Sequence, residues 1–190
     1  MYFLPLRIKY PSTSAVSAVR IVRLSTVINS AVVRHVPSES AMEALGASIA
    51  QSTRAGDTVL LFGNIAAGKT CFARGFVRKY TGDPAMIVSS PTFLLDHVYH
   101  AACNNAPPVH HLDLYRLRGP EDLIGLDLPR VFSKDVAVIE WPDRLGDEHM
   151  PASRLDVHIA GSSSGHEARC VTLQPIGEDW ARRIARMQAC

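Results

Sequence analysis

The chain has 190 residues, 47% hydrophobic and 20% charged, enough for one well-buried domain with a short appendage and with no run apolar enough to span a bilayer. The formal charge of +2 is unevenly spread, because Arg7, Lys9, Arg20, Arg23 and Arg34 all precede the first acidic residue, Glu39. Without those five, 15 basic residues stand against 18 acidic ones, about −3, which excludes the basic footprint of a chain that grips nucleic acid by itself.

The leader is also rich in hydroxyls, at Ser12, Thr13, Ser14, Ser17, Ser25, Thr26 and Ser30. Arg-rich, Ser-rich and acid-poor composition marks a mitochondrial or plastid transit peptide. Residues 1–35 are read as that or as a disordered extension, with a weak strand through Val19–Ile28 as a further option. Residues 36–190 form the single domain. The expected location is a mitochondrion or plastid if the leader is a transit peptide, and the cytoplasm otherwise. Cys71, Cys103, Cys170 and Cys190 include no C-x-x-C pair, which argues against a zinc site or a disulfide framework and for a reducing compartment.

Ser40-Ala41-Met42-Glu43 predicts a capping box, and Met42, Leu45 and Ile49 give the helix it starts one apolar face to about Thr53. Ala55-Gly56-Asp57 turns the chain into Thr58-Val59-Leu60-Leu61-Phe62, a buried strand. Gly63 to Thr70 follows, then a helix carrying Phe72, Phe76 and Tyr80 that stops near Thr81-Gly82. Met86-Ile87-Val88 reads as a short strand, Ser89-Ser90-Pro91-Thr92 as a rigid turn, and Leu94–His100 as extended chain. Ala101–Pro108 is a loop, and Val109–Tyr115 alternates as a strand should. A short helix starts at Gly119-Pro120-Glu121-Asp122 and runs through Leu126. Val136-Ala137-Val138-Ile139 is a continuous apolar run ending in Glu140-Trp141-Pro142, as in strands covered on both faces. Arg154–Ile159 and Ala168–Leu173 predict a hairpin, and Trp180, Ile184 and Met187 a closing helix. The order predicts a three-layer α/β fold with a mostly parallel central sheet and a C-terminal β-hairpin plus helix.

Gly63-Asn64-Ile65-Ala66-Ala67-Gly68-Lys69-Thr70 matches the phosphate-cradling pattern G-x-x-x-x-G-K-[ST], with a strand before it and a helix after. A helix start offers unpaired N–H groups and a positive dipole end, and a glycine turn lets more amides converge on a polyanion. Gly63, Asn64, Ala66, Ala67, Gly68, Lys69, Thr70 and Cys71 are therefore the expected nucleotide contacts, with Lys69 on the β/γ-phosphates and Thr70 on Mg²⁺. A helix N-terminus could lower the Cys71 pKa, or the thiol could pack beneath the loop. Ligands of such sheets sit at the carboxyl ends of strands, which brings Gly63, Asp113 and Glu140 together.

Asp113 and Glu140 are the best remaining carboxylates for Mg²⁺. Glu140 has the form of a Walker-B strand end, where it would hold the metal's water shell or orient an attacking water. An acid facing solvent at a strand end is the competing reading. His111 shares the predicted face of Asp113, so the two could be read as metal ligands, although nothing else supplies soft donors and His111 suits a supporting role better. Thr92 on its proline-stiffened turn could sense a γ-phosphate, or simply turn the chain. Trp141 could stack on a base or a partner, or fill core.

Taken together, the glycine loop, Ser90-Pro91-Thr92-Phe93, His111-x-Asp113-x-Tyr115-Arg116-Leu117 and Glu140-Trp141-Pro142, in that order, resemble the YjeE/TsaE family over roughly residues 36–187. The resemblance implies a small P-loop ATPase with slow turnover that serves the bacterial-type synthesis of N6-threonylcarbamoyladenosine in tRNA. It implies ATP and Mg²⁺ as cofactors and TsaD-like and TsaB-like subunits as partners, tRNA being met only through them and no membrane being involved. It also implies that Lys69 and Thr70 bind phosphate and Mg²⁺, Asp113 helps hold the metal, Glu140 assists hydrolysis, Thr92 belongs to a switch-like segment, and Trp141 lies near nucleotide or partner.

Family loops commonly read G-D-x-G-A-G-K-[ST]; here Asn64 and Ala66 replace the Asp and the third Gly. Nucleotide binding is expected to survive this, since Gly63, Gly68, Lys69 and Thr70 are intact. The other functions compatible with the loop and carboxylates are a small-molecule or nucleoside kinase, which usually carries an Arg-rich lid, and a nucleotide-gated binding module with little hydrolysis.

Overall fold

Strands whose residues are apolar on both faces belong inside a sheet covered on both sides, and two such runs occupy its middle. A computed structural model describes residues 31–102, 105–161 and 167–188. β2 (Thr58–Phe62) and β5 (Val136–Glu140) pair in parallel, with Leu61 opposite Glu140. β4 (Val109–Asp113) extends the parallel set beyond β5, and β6 (Arg154–Gly161) extends it beyond β2. Antiparallel strands finish both sides: β3 (Asp96–Tyr99) on β4, and β7 (Arg169–Ile176) on β6. β1 (Val32–Val36) pairs antiparallel with β7, giving the order β1-β7-β6-β2-β5-β4-β3.

Because successive strand residues point to opposite faces, each central strand feeds two cores. Val59, Leu61, Val136 and Val138 join Phe72, Phe76, Ile49 and Trp180 beneath α1 (Glu39–Ala50), α2 (Lys69–Thr81) and α4 (Glu178–Gln188). Leu60, Ala137 and Ile139 face the other way, against Leu128 and Val131 of α3 (Leu128–Lys134) and against Leu114, Leu123 and Leu145. The result is the expected three-layer α/β fold with a parallel centre. α1 and α2 cross closely because Gly75 has no side chain: a Cβ there would lie 2.0 Å from the Glu43 carbonyl oxygen. α4 is fastened to the start of β2 by Arg183, whose Nη2 donates to Asp57 Oδ1 at 2.7 Å in a buried ion pair.

Several local expectations change. The N-cap of α1 is Ser38, whose Oγ accepts the Ala41 amide at 3.2 Å, and the helix ends at Ala50. Glu43 is thus not a capping-box partner; its carboxylate accepts from Arg74 at 3.0 Å and Arg78 at 3.1 Å across the helix pair. Met86–Val88 is not a strand. Arg78 Nε donates to Met86 O at 3.0 Å and Arg74 Nε to Val88 O at 3.5 Å, so side chains meet carbonyls that a neighbouring strand would have met. The segment after Gly119 is a 3-10 turn, Pro120–Leu123, and α3 is an additional helix capped by Asp127, which accepts the Arg130 amide at 3.2 Å. β1 reaches into the segment assigned to the leader. The targeting reading of residues 1–30, the alternative strand Val19–Ile28 and the hairpin tip at 162–166 lie outside the described residues.

The edge strand β3 is tied inward by His110, half of a charge network beneath β4. Its Nδ1 bonds Asp96 Oδ2 at 2.7 Å, and its Nε2 lies 3.3 Å from Asp135 Oδ2, within ion-pair reach though out of line for a hydrogen bond. Arg130 flanks the same Asp135 oxygen at 3.3 Å. The Asp96 hydrogen bond outweighs burial and raises the His110 pKa above its ordinary 6.5. Stability from this bridge is therefore full below pH 6.5 and is lost as pH rises through the higher folded-state value. In thermal or urea unfolding, Asp96→Asn is expected to cost about 1–3 kcal/mol on the acidic side. The gap to wild type should close at alkaline pH; a gap of constant size would remove His110 as its cause.

Candidate functional site

The glycine loop leaves β2 at its carboxyl end and enters α2 at Lys69, so the helix start and two neighbouring strand ends meet. Gly63 has φ 151° and Gly68 φ 109°. A Cβ on Gly63 would stand 2.6 Å from the Ile159 carbonyl oxygen, so no other residue fits between loop and β6. Ala66 adopts φ 61°, the left-handed conformation that costs an L-residue with a side chain roughly 1–2 kcal/mol. That strain stands at the position where Ala66 replaces the third glycine of the family loop. A cleft of about 840 Å³ opens over the loop and is lined by Ala66, Ala67, Gly68, Thr92 and Cys71 among others.

Lys69 Nζ donates to Gly63 O at 2.7 Å and Asn64 O at 2.9 Å, and sits 3.7 Å from the centre of the Trp141 ring. Gly63 and Asn64 thus act through their carbonyls on Lys69. Burial lowers the Lys69 pKa, with Glu140 and Asp113 opposing it. Trp141 holds φ 60° and ψ 50° immediately before a proline, a setting that normally forces extended backbone. Its ring is flanked by Lys69 and by Tyr115, whose ring centre is 4.9 Å away.

Asp113 and Glu140 end β4 and β5 and are direct partners in the parallel register. Both are buried. Glu140 Oε1 accepts from Thr70 Oγ1 at 2.8 Å and from His111 Nε2 at 2.9 Å. His111 is fully buried, and its Nδ1 has no hydrogen-bond partner among the described residues. His111 therefore braces Glu140, while His110 meets Asp96 and Asp135 on the opposite side of β4. Asp113 Oδ2 accepts Thr92 Oγ1 at 2.7 Å and the hydroxyl of Ser90, while Oδ1 accepts the Tyr115 amide at 3.0 Å. The oxygens of Thr70, Asp113 and Glu140 are hard donors gathered at one cleft, a set that fits Mg²⁺.

Cys71 lies behind this group. Burial, then Glu39 and Glu43, push its thiol up to about 11, the reverse of a helix-activated thiolate, and Sγ donates to Glu39 O at 3.3 Å. Among the described residues, Glu39, Glu43 and Cys71 also bring ligand atoms within 4.8 Å, but Arg74 already bridges both acids. Ser90 and Arg169 join the site without having been picked from the sequence. Ser90 stands two residues before Thr92, a spacing that lets both hydroxyls reach one carboxylate. Arg169 is brought to the loop only by the sheet order.

The family model for "Threonylcarbamoyl adenosine biosynthesis protein TsaE" matches residues 36–170. The tRNA threonylcarbamoyladenosine biosynthesis protein TsaE of Streptomyces coelicolor is 38% identical over 143 residues, covering 74% of this chain and 94% of the relative. The Bacillus subtilis protein of the same name is 30% identical over 135 residues, 71% of this chain and 80% of its own. In shape, the crystal structure of Bacillus subtilis YdiB superposes with a TM-score of 0.65, covering 84% of this chain and 95% of that one; at 24% identity it speaks for the fold alone.

Relief of the strain at Ala66 is directly measurable. Ala66→Gly should raise unfolding stability by about 0.5–1 kcal/mol, the left-handed penalty less the entropy glycine adds to the unfolded chain. Urea unfolding reads this, and a destabilised Ala66→Gly protein would contradict the backbone assignment.

Proposed function

The chain belongs to the family of threonylcarbamoyl adenosine biosynthesis protein TsaE, and from that premise we propose that it is a P-loop ATPase which binds and slowly hydrolyses Mg·ATP. Its hydrolysis serves tRNA threonylcarbamoyladenosine modification by a partner complex. The observation that carries this reading is the register of Asp113 beside Glu140, at the strand ends next to Lys69 and Thr70. A phosphate-binding loop alone would suit any anion. Two buried acids facing its lysine and threonine suit a metal-bound triphosphate.

The roles follow from the groups present. Loop amides and the start of α2 offer donors and positive potential to phosphate oxygens. Lys69 places its ammonium beside them, in a setting whose low polarity strengthens the attraction. Thr70, Asp113 and Glu140 would hold Mg²⁺, which when bound neutralises charge on the β- and γ-phosphates. Glu140 orients and deprotonates the attacking water, kept in place by His111 and Thr70. Thr92 and Ser90, hung on Asp113, form the segment that responds to the γ-phosphate. Trp141 covers Lys69 and borders the nucleotide or a partner.

TsaD-like and TsaB-like synthase subunits are the proposed partners, with tRNA held by them; the mildly acidic body supports this division of labour. Calorimetry and phosphate release test the assignment. Lys69→Ala should abolish Mg·ATP binding, and Glu140→Gln should spare binding while slowing phosphate release at least about 100-fold, as loss of a general base does. Normal turnover by Glu140→Gln would sink its role. Transfer of phosphate to a metabolite instead of water, or failure to be captured by the synthase subunits with ATP present, would sink the proposed activity or the proposed partnership.

A further inference from the structure

The glycine loop is gripped from behind by a residue about a hundred positions away in sequence. Arg169 opens β7, opposite Gly161 of β6 on one side and Val36 of β1 on the other, so its backbone is held between two strands. Its Nε donates to Ala67 O at 3.1 Å and its Nη2 to Ala66 O at 3.3 Å. Nη1 donates to Ala168 O at 3.0 Å, which fixes the guanidinium plane. The same residue borders the cleft that contains Lys69 and Thr70.

A trans peptide is rigid and planar, so a carbonyl held in one direction sends the amide of its own plane in the other. The Ala66 carbonyl shares a plane with the Ala67 amide, which closes a turn onto Asn64 O at 3.1 Å. The Ala67 carbonyl shares a plane with the Gly68 amide, and the grip on that carbonyl turns the Gly68 N–H away from Arg169. Ala66, between Ile65 and these planes, is the loop residue with a side chain and φ 61°. Left alone it would relax toward negative φ and swing both planes. The forked edge of a guanidinium can take two adjacent carbonyls at once, which a lysine ammonium on the same stem cannot do with fixed geometry.

We infer that Arg169 is a positioning residue for the phosphate loop, locking the Ala66–Ala67 peptide plane in its turn onto Asn64 O and the Ala67–Gly68 plane in its amide-presenting form, against the relaxation that Ala66 favours. The inference rests on the nucleotide-binding reading of the loop. It makes Arg169 and Ala66 a coupled pair: the arginine matters because position 66 is not glycine.

Mg·ATP titration of wild type, Arg169→Met, Arg169→Lys, Ala66→Gly and the double variant Ala66→Gly/Arg169→Met tests the coupling. Arg169→Met should raise Kd about tenfold, the scale of one charge-assisted hydrogen bond. Arg169→Lys should be as weak as Arg169→Met, and the loss should fall on KM with kcat within about threefold of wild type, since binding geometry and not chemistry is disturbed. The double variant should recover to within about threefold of wild type, because glycine takes the left-handed form unaided. If Arg169→Met does not fold, Arg169→Lys with and without Ala66→Gly gives the same comparison. An unchanged Kd in the single variant overturns the inference. So does a loss that Ala66→Gly fails to relieve, which would mark Arg169 as a direct phosphate contact. A wild-type protein that does not bind Mg·ATP overturns the nucleotide reading itself.

Discussion

The parallel pairing of β2, β5 and β4 is the constraint on which the site depends. Parallel strands bring like ends to one side of a sheet, and the register places Leu61 beside Glu140 and Glu140 beside Asp113. A slip of one residue would turn both acids into the opposite core and their apolar neighbours toward the loop. Such a slip is resisted by the two cores themselves, since Val136 and Val138 fill one while Ala137 and Ile139 fill the other. The packing that stabilises the sheet is thus also what aligns its chemistry.

Once aligned, the buried charges are made tolerable by one another. Glu140 accepts two hydrogen bonds at one oxygen, Asp113 is met by two hydroxyls and an amide, and Lys69 is held by two carbonyls and an aromatic face. A buried group satisfied in this way keeps its position without keeping a fixed partner, because hydroxyls and carbonyls are exchangeable for phosphate or metal-bound water. Two of the left-handed backbones, at Ala66 and Trp141, belong to residues that line the cleft with Lys69, so local strain is found where ligands are expected to exchange.

Much of this was legible in the residues. The continuous apolar runs at Val59–Leu61 and Val136–Ile139 identify buried strands because no amphipathic element needs them, and Glu140 stands out as the charge that ends one. Gly63, Gly68, Lys69 and Thr70 carry their own geometry. What escaped reading was whatever depends on a distant partner. Met86–Val88 has strand composition, yet Arg74 and Arg78 take its carbonyls. Ser38 and Ser40 can both cap a helix; Ser38 does so, and Glu43, which would have completed a capping box with Ser40, meets those same arginines. α3 is too short for a periodic face, although Asp127 and Pro129 marked its start. β1 and Arg169 acquire meaning only through the sheet order, which no local pattern encodes.

On the proposed function, the ends of β2, β4 and β5 enclose one metal–nucleotide site. Paramagnetic broadening of backbone amide signals by Mn²⁺, added with ATP in place of Mg²⁺, tests that most directly. Broadening centred on Thr70, Asp113 and Glu140, and dependent on the nucleotide, is the expected result. Broadening centred instead on Glu39 and Glu43, or no nucleotide-dependent broadening at all, would contradict it.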